Sequence, residues 1–307
     1  MSRRSSSDAT RDPEGLEARS EGTSAEVAAC TTLGAVHLTV SELDRSISYY
    51  RTAVGLDVLE RGHGRAILGA GGRELLVLVE EAGARPSHGY TGLFHFALLV
   101  PERVDLARWL AHAMRDRVPL VGLSDHFVSE ALYLTDPDGH GIEIYWDRPR
   151  ELWEGQVAAR MTTLRLDVDG LLGELEDPPP ERFDGLPATT VIGHVHLKVA
   201  AIAPTVAFYR DVLGFDVMAH FGAEAAFLGA GGYHHHVGAN TWESAGAEPP
   251  PPGTAALRHA TIVLPDRAAR DRAFERCHAN GQRPRETADG LMVFDPSGNA
   301  LVIGVAP

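Results

Sequence analysis

Cysteine is scarce in this sequence: its 307 residues include only Cys30 and Cys277. Two cysteines this far apart do not suggest a disulfide framework, so a reducing compartment is expected. Apolar runs long enough to span a bilayer are also missing. No apolar stretch follows the N-terminal residues Met1 to Arg4, so a secretory signal is not expected either. Together these absences predict a cytoplasmic protein.

Positive charge is also in deficit. The chain carries 42 acidic residues against 28 basic ones, which gives a formal net charge of −14. Because binding to nucleic acid or to an anionic membrane needs a positive surface, neither partner is expected. The glycine runs at 69–72 and 229–232 lack the lysine and the helix start of a phosphate-binding loop. We interpret them as turns.

What the sequence does contain is an internal repeat. The run GAVHLTV at 34–40 resembles GHVHLKV at 193–199, and an aromatic pair with an arginine follows each run at the same interval. A second repeat unit opens with HFALLVPER at 95–103 and with HATIVLPDR at 259–267. Self-similarity of this kind predicts a fold that is made of repeated units.

Each unit has the same local pattern. An alternating strand opens the unit, an amphipathic helix such as Leu43 to Val54 follows, and two or three further strands are separated by glycine-rich turns. The sequence therefore predicts an α+β fold of four βαβββ modules in two tandem halves. We expect a disordered leader at 1–30, a pair of modules at 31–150, a linker at 151–190 and a second pair at 191–307.

Two phrases carry a resemblance to a known family, GGYHHHVG at 231–238 and VSEALYLTDPDG at 128–139. With the repeated openings, they resemble the vicinal oxygen chelate superfamily of glyoxalase I, bleomycin-resistance proteins and type I extradiol dioxygenases. Within it they are similar to the bacterial catechol-2,3-dioxygenase branch. The resemblance covers about residues 33–306. It implies that strands of two modules curl around a metal. In the dioxygenases, two histidines and one glutamate hold iron(II) on one face and leave the other face to a diol and O2.

The resemblance also implies where the ligands lie: on the first strands of two paired modules and on a last strand. Module two offers His95 and Glu143, and module three offers His194. Module four offers His259 but has Val302 where a carboxylate is needed, so we interpret His259 as part of a degenerate second site. Only the pairing of modules two and three completes a ligand set. We therefore expect a metal site that the two halves share.

Three more residues receive roles from the resemblance. His235 aligns with a family histidine that lies beside the metal without binding it, and it is our candidate for both base and acid. Tyr133, ten residues before Glu143, matches a tyrosine that hydrogen-bonds the substrate oxygen, and His126 is a candidate further donor. The implied activity is extradiol ring cleavage of a small aromatic diol by O2, with Fe(II), or alternatively Mn(II), as cofactor. A homo-oligomer is left open.

Other interpretations stay open at this point. His95 and His194, taken singly, could be core histidines, and Glu143 could be an edge-strand residue that faces water. His196 shares a strand face with His194 and could replace it as ligand. Histidines 234–236 could be a surface cluster. A glyoxalase-type isomerase commonly has a fourth ligand, and a metal-free drug-binding protein would lack the three found here. Fold alone does not decide among these functions. The presence of three candidate ligands favours the oxygenase.

Overall fold

The structure is a computed structural model of the chain, and it describes residues 18–19, 27–176 and 182–306. The leader expected at 1–30 lies mostly outside these residues. Near its described end, Val27 is buried and its backbone N–H donates to the carbonyl of Gly214. Across the described ranges, no helix combines the length and the apolar character that crossing a membrane requires.

The predicted α+β fold of four βαβββ modules in two tandem halves is confirmed. The strands of modules one and two are Thr32–Val40, Asp57–Gly62, Arg65–Ala70, Arg73–Glu80, Gly92–Leu99, Gly122–Asp125, Ser129–Thr135 and Gly141–Asp147. The strands of modules three and four are Val191–Lys198, Asp216–Phe221, Ala225–Gly229, Val237–Asn240, Leu257–Leu264, Arg285–Thr287, Gly290–Phe294 and Ala300–Val305.

One helix follows the first strand of each module. The four helices are Leu43–Tyr49, Arg103–Asp116, Ile202–Ala207 and Arg267–Ala279, and the first and third continue as π-helical turns at Tyr50–Val54 and Phe208–Val212. The repeated aromatic pair lies at these continuations. The hydroxyl of buried Tyr50 donates to Asp136 at 2.9 Å, and that of Tyr209 donates to Asp295 at 3.5 Å, so each helix is attached to the last turn of the following module.

The remaining elements are short. They are the helical turns Arg150–Leu152, Val157–Arg160 and Val168–Leu172, and the two-residue strands Ala18–Arg19, Arg85–Pro86, Leu164–Arg165 and Thr254–Ala255. Three of the helical turns and one strand fall in the segment that was expected to link the halves. Trp153 and Met161 of this segment are buried, so it packs closely against the modules.

The modules pair across the two halves. The first strands of modules two and three are antiparallel neighbours at the centre of one sheet, and those of modules one and four occupy the same position in the other. In the first sheet, Ala97 lies opposite His194 on one side and opposite Glu143 on the other. His95 is two residues before Ala97, and side chains two apart share a face of a strand. The register therefore brings His95, Glu143 and His194 to one face.

Candidate metal centre

The side chains of His95, Glu143 and His194 converge on one point. Oε2 of Glu143 lies 3.0 Å from Nε2 of His95 and 3.0 Å from Nε2 of His194, and the two Nε2 atoms are 3.3 Å apart. All three side chains are buried. Among the described residues this is the one group of three or more potential ligands with such close donor atoms.

The spacing and chemistry of this group fit a metal ion. Around a divalent cation with bonds of about 2.1 Å, adjacent ligand atoms lie about 3 Å apart. Two neutral imidazoles and one carboxylate match the facial set that non-haem iron enzymes use, and imidazole also suits other divalent transition metals. Both Nε2 atoms lie 3.0 Å from the same Glu143 oxygen and 3.3 Å from each other. A cation bound at these three atoms would accept an electron pair from each of them.

The electrostatics of the cluster favour the metal-binding forms of Glu143 and His194. Burial by itself raises the pKa of the Glu143 carboxyl, but His194 and His95 outweigh it and hold this pKa well below normal. Burial lowers the pKa of His194, while Glu143 opposes that change. A carboxylate and a neutral imidazole are the forms with free electron pairs, so both residues can act as ligands.

His194, not His196, joins the cluster. The strand Val191–Lys198 has register irregularities between Ile192 and His194 and between His196 and Leu197. The ring of His196 packs against Gly238, where an added Cβ would lie 2.8 Å from the ring. Its Nε2 is buried and has no hydrogen-bond partner among the described residues.

Among its described residues, the second sheet has no equivalent centre. His259 lies opposite His37, and their rings stack with centroids 3.8 Å apart. Val302 takes the position of Glu143, and Thr261 takes that of Ala97, because Thr261 and Val302 are register partners. No carboxylate joins the two histidines to form a ligand group in the part of the chain that the structure describes.

A cavity opens at the ligand cluster. It has about 450 Å³ of space that protein atoms do not fill, part of it open to solvent. All six residues that the sequence placed in the site line it: His95, His126, Tyr133, Glu143, His194 and His235. The sequence analysis missed the apolar lining, which consists of Val128, Met161, Phe221, Phe227 and Trp242. Phe221 and Phe227 lie on other strands, Met161 lies in the segment between the halves, and Val128 and Trp242 lie in loops. Apolar side chains there have no local signal that separates them from the core.

His126 and Tyr133 form a hydrogen-bonded pair at the cavity wall. Nδ1 of His126 lies 3.0 Å from the carbonyl of Thr162, and its Nε2 lies 2.7 Å from the Tyr133 hydroxyl. A carbonyl can only accept, so Nδ1 carries the hydrogen and Nε2 of the neutral ring accepts from Tyr133. This hydrogen bond fixes the position of the Tyr133 phenol oxygen at the cavity wall.

His235 faces the cavity, and its ring lies against that of His194 at a centroid distance of 4.1 Å. Strand alternation does not apply to histidines 234–236, because the strand begins only at Val237. His234 points to Asp147, with Nε2 2.8 Å from Oδ1, while Nδ1 of His236 accepts from the backbone N–H of Ala230. The three histidines are buried, so they do not form a surface cluster.

Asp147 is a polar residue of the site that the sequence analysis missed. Its Oδ2 accepts from the Tyr233 hydroxyl at 2.8 Å, and this hydroxyl is 2.8 Å from that of Tyr145. Burial raises the pKa of both tyrosines well above normal, so they remain protonated donors. A sequence signal was present: Glu143, Tyr145 and Asp147 alternate along one strand, which puts them on the same face.

Comparison with known proteins places this geometry in a family. Residues 32–144 and 191–303 each match the Glyoxalase/Bleomycin resistance protein/Dioxygenase superfamily. The chain is 41% identical over 278 residues to catechol-2,3-dioxygenase of Bacillus subtilis (strain 168), covering 89% of this chain and 96% of the relative. It is 29% identical over 119 residues to metallothiol transferase FosB of Staphylococcus epidermidis (strain ATCC 12228 / FDA PCI 1200), which covers 38% of this chain and 81% of that protein.

Solved structures share the fold. A protein of Bacillus subtilis subsp. subtilis str. 168, provisionally named a dioxygenase, superimposes with a TM-score of 0.61 at 14% identity, covering 93% of this chain and 87% of that one. Glyoxalase I from Zea mays superimposes with a TM-score of 0.53 at 15% identity, covering 89% and 92%. The family match spans most of both halves, and the chain therefore belongs to the glyoxalase/bleomycin resistance protein/dioxygenase superfamily.

Proposed function

We propose that this protein is an extradiol ring-cleaving dioxygenase that acts on a catechol-type aromatic diol. The observation that carries the proposal is the buried cluster of His95, Glu143 and His194 at the end of a cavity with apolar walls. A set of two histidines and one carboxylate leaves about three positions of a six-coordinate metal free. A bidentate diol and O2 need that many positions.

The similarity to a catechol-2,3-dioxygenase supports the same reaction class, because it extends over 89% of this chain. The donor set suits Fe(II), with Mn(II) as the alternative. When bound, the metal would bring the diolate and O2 together and allow electron transfer between them. Both oxygen atoms enter the product, a ring-opened semialdehyde acid with the composition of diol plus O2, so no external reductant is required.

The protein's own residues would bind the diol and move its protons. Phe221 and Phe227 provide aromatic walls for a planar ring and exclude water. His235 is the proposed base for a diol hydroxyl and the acid that later returns the proton, because its buried ring lies directly beside the ligand His194. The Tyr133 oxygen, whose own hydrogen goes to His126, would accept from a diol hydroxyl.

The experiment that tests the proposal begins with anaerobic purification and measurement of bound metal. Fe(II) or Mn(II) is then added, followed by catechol or substituted catechols and O2. We expect O2 uptake equal to diol consumed and a yellow product that contains both atoms of labelled O2. Glu143→Gln is the matched control, since it keeps the side-chain shape and removes the charged ligand.

Two results of this experiment would contradict the proposed function. Stoichiometric metal with no O2 uptake across a panel of diols would refute the oxygenase and favour the glyoxalase-type isomerase. Cleavage that proceeds equally well in Glu143→Gln would show that the reaction does not use this centre.

A further inference from the structure

A hydrogen-bonded chain leads away from the cavity behind His235. Nδ1 of His235 lies 2.8 Å from Nδ1 of His234, and Nε2 of His234 lies 2.8 Å from Oδ1 of Asp147. His234 is fully buried, whereas the Asp147 side chain is 19% exposed. The chain therefore connects the cavity wall to a carboxylate that reaches solvent.

With His234 neutral, the chemistry of these groups orients every hydrogen in the hydrogen-bonded chain. The Asp147 carboxylate can only accept, so Nε2 of His234 carries a hydrogen and donates it. Nδ1 of a neutral His234 then has an electron pair and accepts from Nδ1–H of His235. A neutral His235 whose Nδ1 carries the hydrogen has a free electron pair on Nε2. Asp147 also accepts from Tyr233, so both of its oxygens are engaged as acceptors.

We propose that Asp147 and His234 are positioning residues that set the tautomer of His235, so that its Nε2 presents an electron pair to the cavity. The inference deepens the proposed function and rests on it for its catalytic consequence. A diol O–H bond would break as an N–H bond forms at Nε2 of His235. The hydrogen on Nδ1 can then pass to His234, where the Asp147 carboxylate balances the positive charge.

The second sheet provides an internal comparison for this hydrogen-bonded chain of residues. In the second sheet, Val302 takes the position of Glu143, so Ala306 takes that of Asp147 four residues later. Module one has no histidine between Gly71 and Leu78, in the segment equivalent to the one that holds His234 and His235. The sheet without a ligand cluster therefore also lacks the positioning residues.

The test measures the tautomer directly on the full chain labelled with ¹⁵N in its histidine rings. Spectra are recorded without metal and with Zn²⁺, which is diamagnetic, and the His235 signals are assigned by their loss in His235→Gln. We expect a protonated Nδ1 and a bare Nε2 in the native protein. His234→Phe keeps an aromatic ring but removes the acceptor, so the His235 hydrogen should move wholly or partly to Nε2.

Activity provides the second readout. In His234→Phe, kcat should fall by about tenfold or more while KM and metal content stay within roughly twofold, because proton transfer and not binding is impaired. His236→Phe is the matched control, since His236 is a buried neighbour that lies outside the hydrogen-bonded chain. It should leave the His235 tautomer and kcat unchanged. If His234→Phe does not fold, Asp147→Asn is measured instead, because its amide can donate to His234 and reverse the orientation.

Two results would overturn the inference: a native His235 with its hydrogen on Nε2, or an unchanged His235 tautomer in a folded variant of His234 or Asp147. These results are distinct from a failure of the proposed function. If the native protein cleaves no diol, the spectra still decide the tautomer. If diol cleavage is normal in a folded His234→Phe protein with unchanged spectra, only the positioning role is refuted.

Discussion

Oε2 of Glu143 lies 3.0 Å from Nε2 of His194, although the two residues are 51 positions apart and belong to different halves of the chain. The contact exists because the last strand of module two and the first strand of module three flank the same strand, Gly92–Leu99. The candidate centre is therefore completed only when the two halves assemble. Several measurable consequences follow from this arrangement.

Glu143→Gln should lower the affinity for a divalent metal by more than about 100-fold. Mutation of a residue that only hydrogen-bonds to a ligand typically lowers metal affinity by roughly 10- to 100-fold, and loss of a ligand itself should cost more. Competition with a chromogenic chelator measures this affinity. His259→Ala is the control and should retain metal, since the His259 ring stacks on that of His37 and belongs to no ligand group among the described residues. Loss of metal in His259→Ala but not in Glu143→Gln would contradict our assignment.

His235→Gln should keep the bound metal but reduce kcat by about 100- to 10,000-fold, the range for loss of a general acid–base group. His235 lies beside His194 without joining the ligand cluster, which is why metal content should not change. Single-turnover rates and metal analysis on the same sample separate the two effects. Near-normal turnover would remove His235 from the reaction.

Ala97→Thr should weaken metal binding by roughly tenfold or more, comparable to loss of a supporting residue. Ala97 is fully buried and is the register partner of both Glu143 and His194, so added atoms would separate these ligands. Thr261 takes the same position in the second sheet, which shows that the fold accepts threonine there. The reciprocal Thr261→Ala should leave metal affinity unchanged, and unchanged affinity in Ala97→Thr would contradict the prediction.

Gly193→Ala should destabilise the protein by roughly 3 kcal/mol, at the upper end of typical overpacking costs. An added Cβ would lie 1.7 Å from the Tyr145 hydroxyl, next to the ligand His194. Gly122→Ala is the matched control, because its Cβ would lie 3.4 Å from Tyr133 in ordinary contact. Chemical denaturation of the metal-free proteins compares the two, and equal stability would show that the strand yields easily.

The metal-free protein should lose stability as the pH falls from 7 to 5. Burial lowers the pKa of His236 from 6.5 to about 4. In this pH range the unfolded chain therefore binds a proton at His236 that the folded chain does not bind. The contribution of neutral His236 to folding stability is complete above pH 6.5 and decreases below it. This residue should account for about 2 kcal/mol at pH 5. The loss should be correspondingly smaller in His236→Phe, and an equal loss in both proteins would refute the assignment.

Much of the fold could be predicted from residue patterns, because each pattern acts locally. The runs at 34–40 and 193–199 alternate as strands do, and the aromatic pairs that follow them lie on helices, with Tyr50, Phe208 and Tyr209 buried. The four modules follow from these repeats. The choice of modules two and three as the paired modules followed from ligand count alone, since only they offer two histidines and a glutamate.

The sequence by itself thus determined the number, order and type of the modules and the residues with chemistry suited to a metal. Tertiary structure alone decided that His194 rather than His196 points into the cluster and that Ala97 lies between Glu143 and His194. It also decided that His234 and Asp147 form a hydrogen-bonded chain with His235. The physical reason is that module patterns arise from neighbours along one strand or helix. Convergence within 3.3 Å depends instead on register and irregularities between strands that are far apart in the chain.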